Sequence, residues 1–109
     1  MKGTRNNVVF MAGGVGKGEM AEMEAMSDKY NLKVVLATQE GFYLAGCPVS
    51  IYDAQEMKVL EVDTHGPWLY ARLPDGRYTV KAIHGGVEKK RSLQVDDGLE
   101  VVMLHWDVQ

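Results

Sequence analysis

The sequence predicts a mainly β fold, a seven-stranded antiparallel Greek-key β-sandwich with one short N-terminal helix. Three observations carry this expectation. After Asn31, turn signals recur about every ten residues. The segments between those turns are rich in Val, Ile, Leu, Tyr and Thr, and several alternate apolar with polar residues at the strand period of two. Ahead of Asn31 stands one Gly- and Pro-free stretch of strong helix formers.

The elements follow in chain order. Val8-Val9-Phe10-Met11-Ala12 is a short apolar run and reads as an N-terminal strand. Gly13, Gly14, Gly16 and Gly18 form a glycine-rich loop behind it. From Glu19 to Tyr30 the spacing predicts a helix, because Met20, Met23, Met26, Ser27 and Tyr30 recur at three and four residues and form one mostly apolar face. Glu19, Glu22 and Glu24 suit the positive N-terminal end of that helix, and Asn31 suits its stop. The chain therefore divides into 1–31 (N-terminal strand, glycine-rich loop and helix) and 32–109 (the sandwich). Strands are expected at about 32–38, 47–53, 57–63, 67–73, 77–84, 87–95 and 99–106. Gly85-Gly86, between two alternating runs, is the strongest hairpin signal.

Composition narrows the function. The chain has 109 residues, 46% apolar and 25% charged, which suits a single soluble globular unit with its own core. Its 12 Lys+Arg against 15 Asp+Glu give a net charge of −3, the wrong sign for a dedicated nucleic-acid binder. No apolar run approaches the ~20 residues that cross a bilayer, so no membrane insertion is expected. A single cysteine forms no intramolecular disulfide, and Cys47, between Gly46 and Pro48, lacks a cationic activator. It reads as a small half-buried residue.

Candidate chemistry is sparse. Ala12-Gly13-Gly14-Val15-Gly16-Lys17-Gly18 resembles a phosphate-binding loop, but Gly18 stands where the magnesium-holding Ser or Thr belongs. The stretch is read instead as a flexible linker that lets the helix dock on the sandwich. His65, His84 and His105 come from separate strands without metal-ligand spacing. Asp96-Asp97-Gly98 reads as a turn, and Lys89-Lys90-Arg91 as a solvated strand. No serine sits in a nucleophile elbow. No catalytic residue, metal ligand or cofactor is therefore assigned. Trp68 and Tyr70 share one strand face and could present a stacking surface; with Tyr52 they are the candidate binding residues.

Leu73, Pro74, Gly76, Tyr78 and Val80 complete the stretch Gly66-Pro67-Trp68-Leu69-Tyr70-Ala71-Arg72-Leu73-Pro74-Asp75-Gly76-Arg77-Tyr78-Thr79-Val80. This stretch resembles the carboxypeptidase regulatory-like domain, a transthyretin-like (prealbumin-like) sandwich, in its turn entering a strand. Val49-Ser50-Ile51-Tyr52-Asp53 is similar to the family's preceding strand. Gly13-Gly14-Val15-Gly16, Glu19 and Tyr30-Asn31-Leu32 are similar to the lead segment of small bacterial proteins that carry this domain. That resemblance implies a periplasmic or secreted setting with a signal peptide removed. The tail His105-Trp106-Asp107-Val108-Gln109 departs from that of the hydroxyisourate hydrolases, so their activity is not carried over.

The leading expectation is a non-catalytic binding module of the bacterial envelope with a protein or carbohydrate ligand. Two alternatives stay open: a small hydrolase or metal-dependent enzyme that uses His65, His84 or His105, and a structural module that forms homo-oligomers through its N-terminal strand and helix.

Overall fold

A computed structural model describes residues 2–44 and 46–107. Nine strands and one α-helix are present among them: β1 (Lys2–Arg5), β2 (Val8–Gly13), α1 (Gly16–Ala25), β3 (Leu32–Thr38), β4 (Cys47–Tyr52), β5 (Lys58–Thr64), β6 (Trp68–Arg72), β7 (Gly76–His84), β8 (Val87–Val95) and β9 (Glu100–Trp106). They form a five-stranded sheet in the order β1-β2-β6-β3-β9 and a four-stranded sheet in the order β5-β4-β7-β8. The mainly β, sandwich-like character expected from the sequence is present.

Two parts of the expected topology are corrected. The sheets hold nine described strands rather than seven, because the expected N-terminal strand, β2, joins the five-stranded sheet and a further strand that was not expected, β1, pairs with it in a hairpin. Asn6 and Asn7 both have positive φ (51° and 64°), the conformation of a tight two-residue turn whose twist matches the flanking strands. The second correction concerns the Greek key. β3 and β9 run parallel, from Leu32 beside Glu100 to Thr38 beside Trp106, where a wholly antiparallel arrangement was expected. The order departs from a Greek key because β2 lies between β1 and β6, and β6 in turn lies between β2 and β3. The 1–31 segment thus shares a sheet with strands of the 32–109 segment.

The main core lies between the sheets. Phe10, Leu32, Val34, Leu36, Leu69, Leu104 and Trp106 from the five-stranded sheet meet Val49, Ile51, Leu60, Val62, Val80 and Val95 from the other. Trp106 also ties the two layers at their edge, since its Nε1 donates to the Val87 carbonyl at 2.9 Å. A second cluster covers the opposite face of the five-stranded sheet, where Met11, Val35, Trp68 and Tyr70 pack against Met23 and Tyr30. This sheet is therefore covered on two sides, which explains why β3 and β6 read as nearly continuous apolar runs rather than alternating ones.

The helix is shorter than its sequence pattern and starts earlier. It spans Gly16–Ala25, and a single 3₁₀ turn follows at Ser27–Lys29. Tyr30 is extended and the Asn31 N–H donates to the Ala71 carbonyl, so sheet pairing ends the helical stretch before Tyr30. Asn31 does more than stop the helix. Its side chain is buried; Nδ2 donates to the Leu73 carbonyl at 2.7 Å and Oδ1 accepts from the Leu73 N–H at 2.9 Å.

The glycine-rich segment is not a flexible linker. A Cβ on Gly66 would stand 2.2 Å from the Gly13 carbonyl oxygen, so the two backbones touch where β2 leaves the sheet. A Cβ on Gly14 would stand 3.3 Å from the Trp68 ring. The loop is closed by Glu19, whose Oε1 accepts from the N–H groups of Gly14 (2.6 Å) and Val15 (2.9 Å). The donors that gave the sequence its phosphate-loop look are bound to a carboxylate of the same chain. Those bonds, first from Val15 and then from Gly14, hold the Glu19 carboxyl below its ordinary range.

Candidate binding faces

The three candidate binding residues do not form one surface. Trp68 and Tyr70 do share a face, with ring centroids 6.3 Å apart in an edge-on arrangement. That face belongs to the five-stranded sheet, and both side chains are buried there. Tyr30 lies against Tyr70 at 5.8 Å, and the Lys33 ammonium sits 3.7 Å from the centre of the Trp68 ring. Burial lowers the affinity of Lys33 for its proton, opposed by the nearby Glu24 charge. The Trp68 indole N–H has no hydrogen-bond partner among the described residues. The exposed aromatic in contact with this face is Tyr43, edge-on to Trp68 at 6.2 Å. Phe42 is 71% exposed, on a loop held by its N–H to Thr38 Oγ1 and by its carbonyl to the Thr38 N–H.

Tyr52 stands on the other side of the molecule. It ends β4 and is half-buried on the outer face of the four-stranded sheet. The register lays out that face as two rows. One runs Glu61, Ser50, Lys81, Lys90; the other runs Lys58, Tyr52, Thr79, Ser92. A concavity of about 450 Å³ opens over them, lined by Tyr52, Thr79, Lys81, Lys90 and Ser92, with Asp53 and Glu56 at one end. The Thr79 and Ser92 hydroxyls lie 3.2 Å apart, and the Lys81 ammonium lies 4.7 Å from the centre of the Tyr52 ring. Lys81 and Lys90 are direct cross-strand partners, an arrangement of like charges that costs stability on a sheet. Lys58 is ion-paired with Glu61.

The end of the concavity is built by a tight turn. Asp53 Oδ1 accepts from the N–H groups of Gln55 and Met57, each at 2.9 Å, and the Asp53 carbonyl accepts from the Glu56 N–H. This turn holds Glu56 at φ 65°, a region that residues other than glycine, asparagine and aspartate seldom occupy. The recurrent turn signals of the sequence give no sign that Asp53 and Glu56 edge a concavity. That depends on which strands become neighbours, and β4 pairs with both β5 and β7.

The remaining candidates are dispersed. His65 is exposed between β5 and β6, His84 ends β7, and His105 lies on β9. Among the described residues, no group of three or more His, Cys, Asp or Glu side chains converges to hold a metal ion. Cys47 is fully rather than half buried, 3.8 Å from His84 Nδ1, because β4 runs through the middle of its sheet. Burial pushes its thiol up, away from the thiolate form. His84 also packs edge-on against Trp106 at 5.9 Å. No helix among the described residues is long and apolar enough to cross a membrane. No family model matches the chain, and no curated protein aligns with it.

Proposed function

We propose that this chain is a non-catalytic binding module of the bacterial envelope, and that it takes a carbohydrate on the outer face of its four-stranded sheet. The observation that carries the reading is the concavity beside Tyr52. A sugar ring offers C–H groups to an aromatic face and hydroxyls to in-plane polar groups. Tyr52 supplies the first; Thr79, Ser92, Lys81, Lys90 and the Glu56 carboxylate supply the second. The left-handed backbone at Glu56 adds support, since strained residues concentrate where function requires a fixed geometry. The envelope setting rests on the resemblance to carboxypeptidase regulatory-like proteins.

A titration of the ¹⁵N-labelled chain with a panel of oligosaccharides tests this reading. Binding is expected to shift the amide signals of Tyr52, Thr79, Lys81 and Ser92, and Tyr52→Ala is expected to weaken it at least tenfold. Shifts confined to the opposite sheet would refute it. A protein partner is the second reading, favoured by the exposure of Tyr43 beside Trp68 and of its chain neighbour Phe42. It predicts that Phe42→Ala, rather than Tyr52→Ala, abolishes capture of that partner.

A further inference from the structure

We propose that β9 is the pairing edge for a second copy of this chain, so that two β9 strands join antiparallel across a two-fold axis and the five-stranded sheets of the two copies become continuous. Sheet edges carry unpaired backbone groups that recruit other strands, and proteins commonly blunt them with charge, shortness or cover. Three of the four edges here are blunted. β1 is four residues long and carries Lys2 and Arg5. β5 carries Lys58, Glu61 and Asp63; its Glu61 carbonyl accepts from the Arg5 guanidinium at 2.6 Å, and its Val59 carbonyl from the Asn6 side-chain amide at 3.4 Å. β8 carries Glu88, Lys89, Lys90 and Arg91 in succession. β9 has none of these devices, and from Val101 to His105 it holds no Asp, Glu, Lys, Arg or Pro.

The register with β3 decides what this edge offers. The Glu100 N–H donates to the Asn31 carbonyl, and the Trp106 carbonyl accepts from the Gln39 N–H. Backbone groups alternate along a strand, so Glu100, Val102, Leu104 and Trp106 turn theirs to β3. The N–H and carbonyl groups of Val101, Met103 and His105 turn the other way, where β9 has no strand neighbour among the described residues. The same three residues place their side chains on the outer face, because Val102, Leu104 and Trp106 fill the main core. Val101 and Met103 are 52% and 41% exposed there, and Met103 stands beside Val35 of the second core.

Free backbone groups call for a strand, and an uncharged apolar edge calls for an uncharged apolar strand. β9 is itself that strand. With the axis at Met103, Met103 lies opposite the partner's Met103, and Val101 opposite the partner's His105. Each outward N–H then meets an outward carbonyl, the apolar side chains continue across the axis on one face, and no like charges are opposed. One seven-residue strand gives a contact only ~23 Å long, at the small end of specific interfaces, so dimerisation is expected to depend on concentration.

The test is hydrogen exchange of the full chain, followed at single amides, with sedimentation at ~20 μM and ~1 mM. Val102 and Leu104 are expected to be protected at both concentrations. Val101, Met103 and His105 are expected to exchange freely when dilute and at least tenfold more slowly when concentrated, as the sedimenting mass doubles. Met103→Lys sets two like charges on the axis and is expected to keep the chain monomeric, with Val102 and Leu104 still protected. Val101→Pro removes one outward donor and no bond to β3, and is expected to act alike. Val9→Lys, exposed on the same outer face but on β2, is expected to dimerise as the wild type does. The proposal is overturned by a chain that stays monomeric at ~1 mM, which would leave the edge to a strand of another protein. It is overturned equally by a dimer in which Val101, Met103 and His105 exchange as fast as in the monomer, by a dimer that persists in Met103→Lys, or by one lost in Val9→Lys.

Discussion

Single residues carry more of this fold than the composition suggests. Gly66 abuts the Gly13 backbone so closely that any side chain must part β2 from the β5–β6 turn. Gly66→Ala is expected to cost ~2 kcal/mol or more, as over-packing against rigid backbone does. In calorimetry that corresponds to a fall in Tm on the order of 10 °C. Asn31 has a comparable place. Asn31→Ala leaves the buried Leu73 N–H and carbonyl without their side-chain partners, at a cost of roughly 2–3 kcal/mol. Urea unfolding measures it, and an effect below about 0.5 kcal/mol, the range of neutral surface changes, would contradict the bidentate tie. Glu19 supplies a pH dependence of known sign. Its folded-state affinity for a proton is lowered from the ordinary value of 4.5. Its contribution is therefore fully present above that value and is lost as pH falls through the lower folded-state value. Relative to Glu19→Gln, the wild-type Tm advantage should shrink as pH drops below 4.5. An advantage that grows instead would contradict the loop closure.

Among the elements, the β4–β5 turn and the helix show most clearly what local pattern decides. Glu56→Gly removes a side chain from a left-handed backbone, which relieves about 1–2 kcal/mol of strain against ~0.5–1 kcal/mol of added chain entropy. Its Tm is expected to hold or rise slightly while oligosaccharide binding weakens; a clear fall in Tm would place Glu56 elsewhere. The seven strands expected after Asn31 all formed within about a residue or two of their expected ends, the usual uncertainty of such boundaries. Leu73-Pro74-Asp75-Gly76 turns as its residues require, with Gly76 at φ 157°, Tyr78 and Val80 facing inward, and the Tyr78 hydroxyl donating to the Pro74 carbonyl. The Gly85-Gly86 hairpin also formed, pairing His84 with Val87. The hairpin at Asn6-Asn7 carries no strand alternation in sequence because β1 is short and polar, although two asparagines ahead of an apolar run are a turn signal in their own right. The first turn of α1 is not legible in sequence because Gly16 and Gly18 disfavour helix, and the Glu19 carboxylate bound to the loop overrides that preference.

At the level of the whole molecule, strand neighbours decide the candidate site, and periodicity does not report neighbours. Tyr52, Trp68 and Tyr70 were legible as aromatics on strands. Which would be covered was not, because that depends on the second core under α1, built by Met11, Met23 and Tyr30 from parts of the chain far from Trp68. The same layering leaves the four-stranded sheet with an uncovered polar face and gives Tyr52 the concave setting that Trp68 lacks. The most direct measurement is a comparison of oligosaccharide titrations of the wild type and Tyr52→Ala, followed through backbone amide signals. A carbohydrate site predicts saturable shifts centred on Tyr52, Thr79, Lys81 and Ser92 that weaken at least tenfold in the variant. Saturable binding that leaves these four signals unmoved, or that Tyr52→Ala does not weaken, would contradict it.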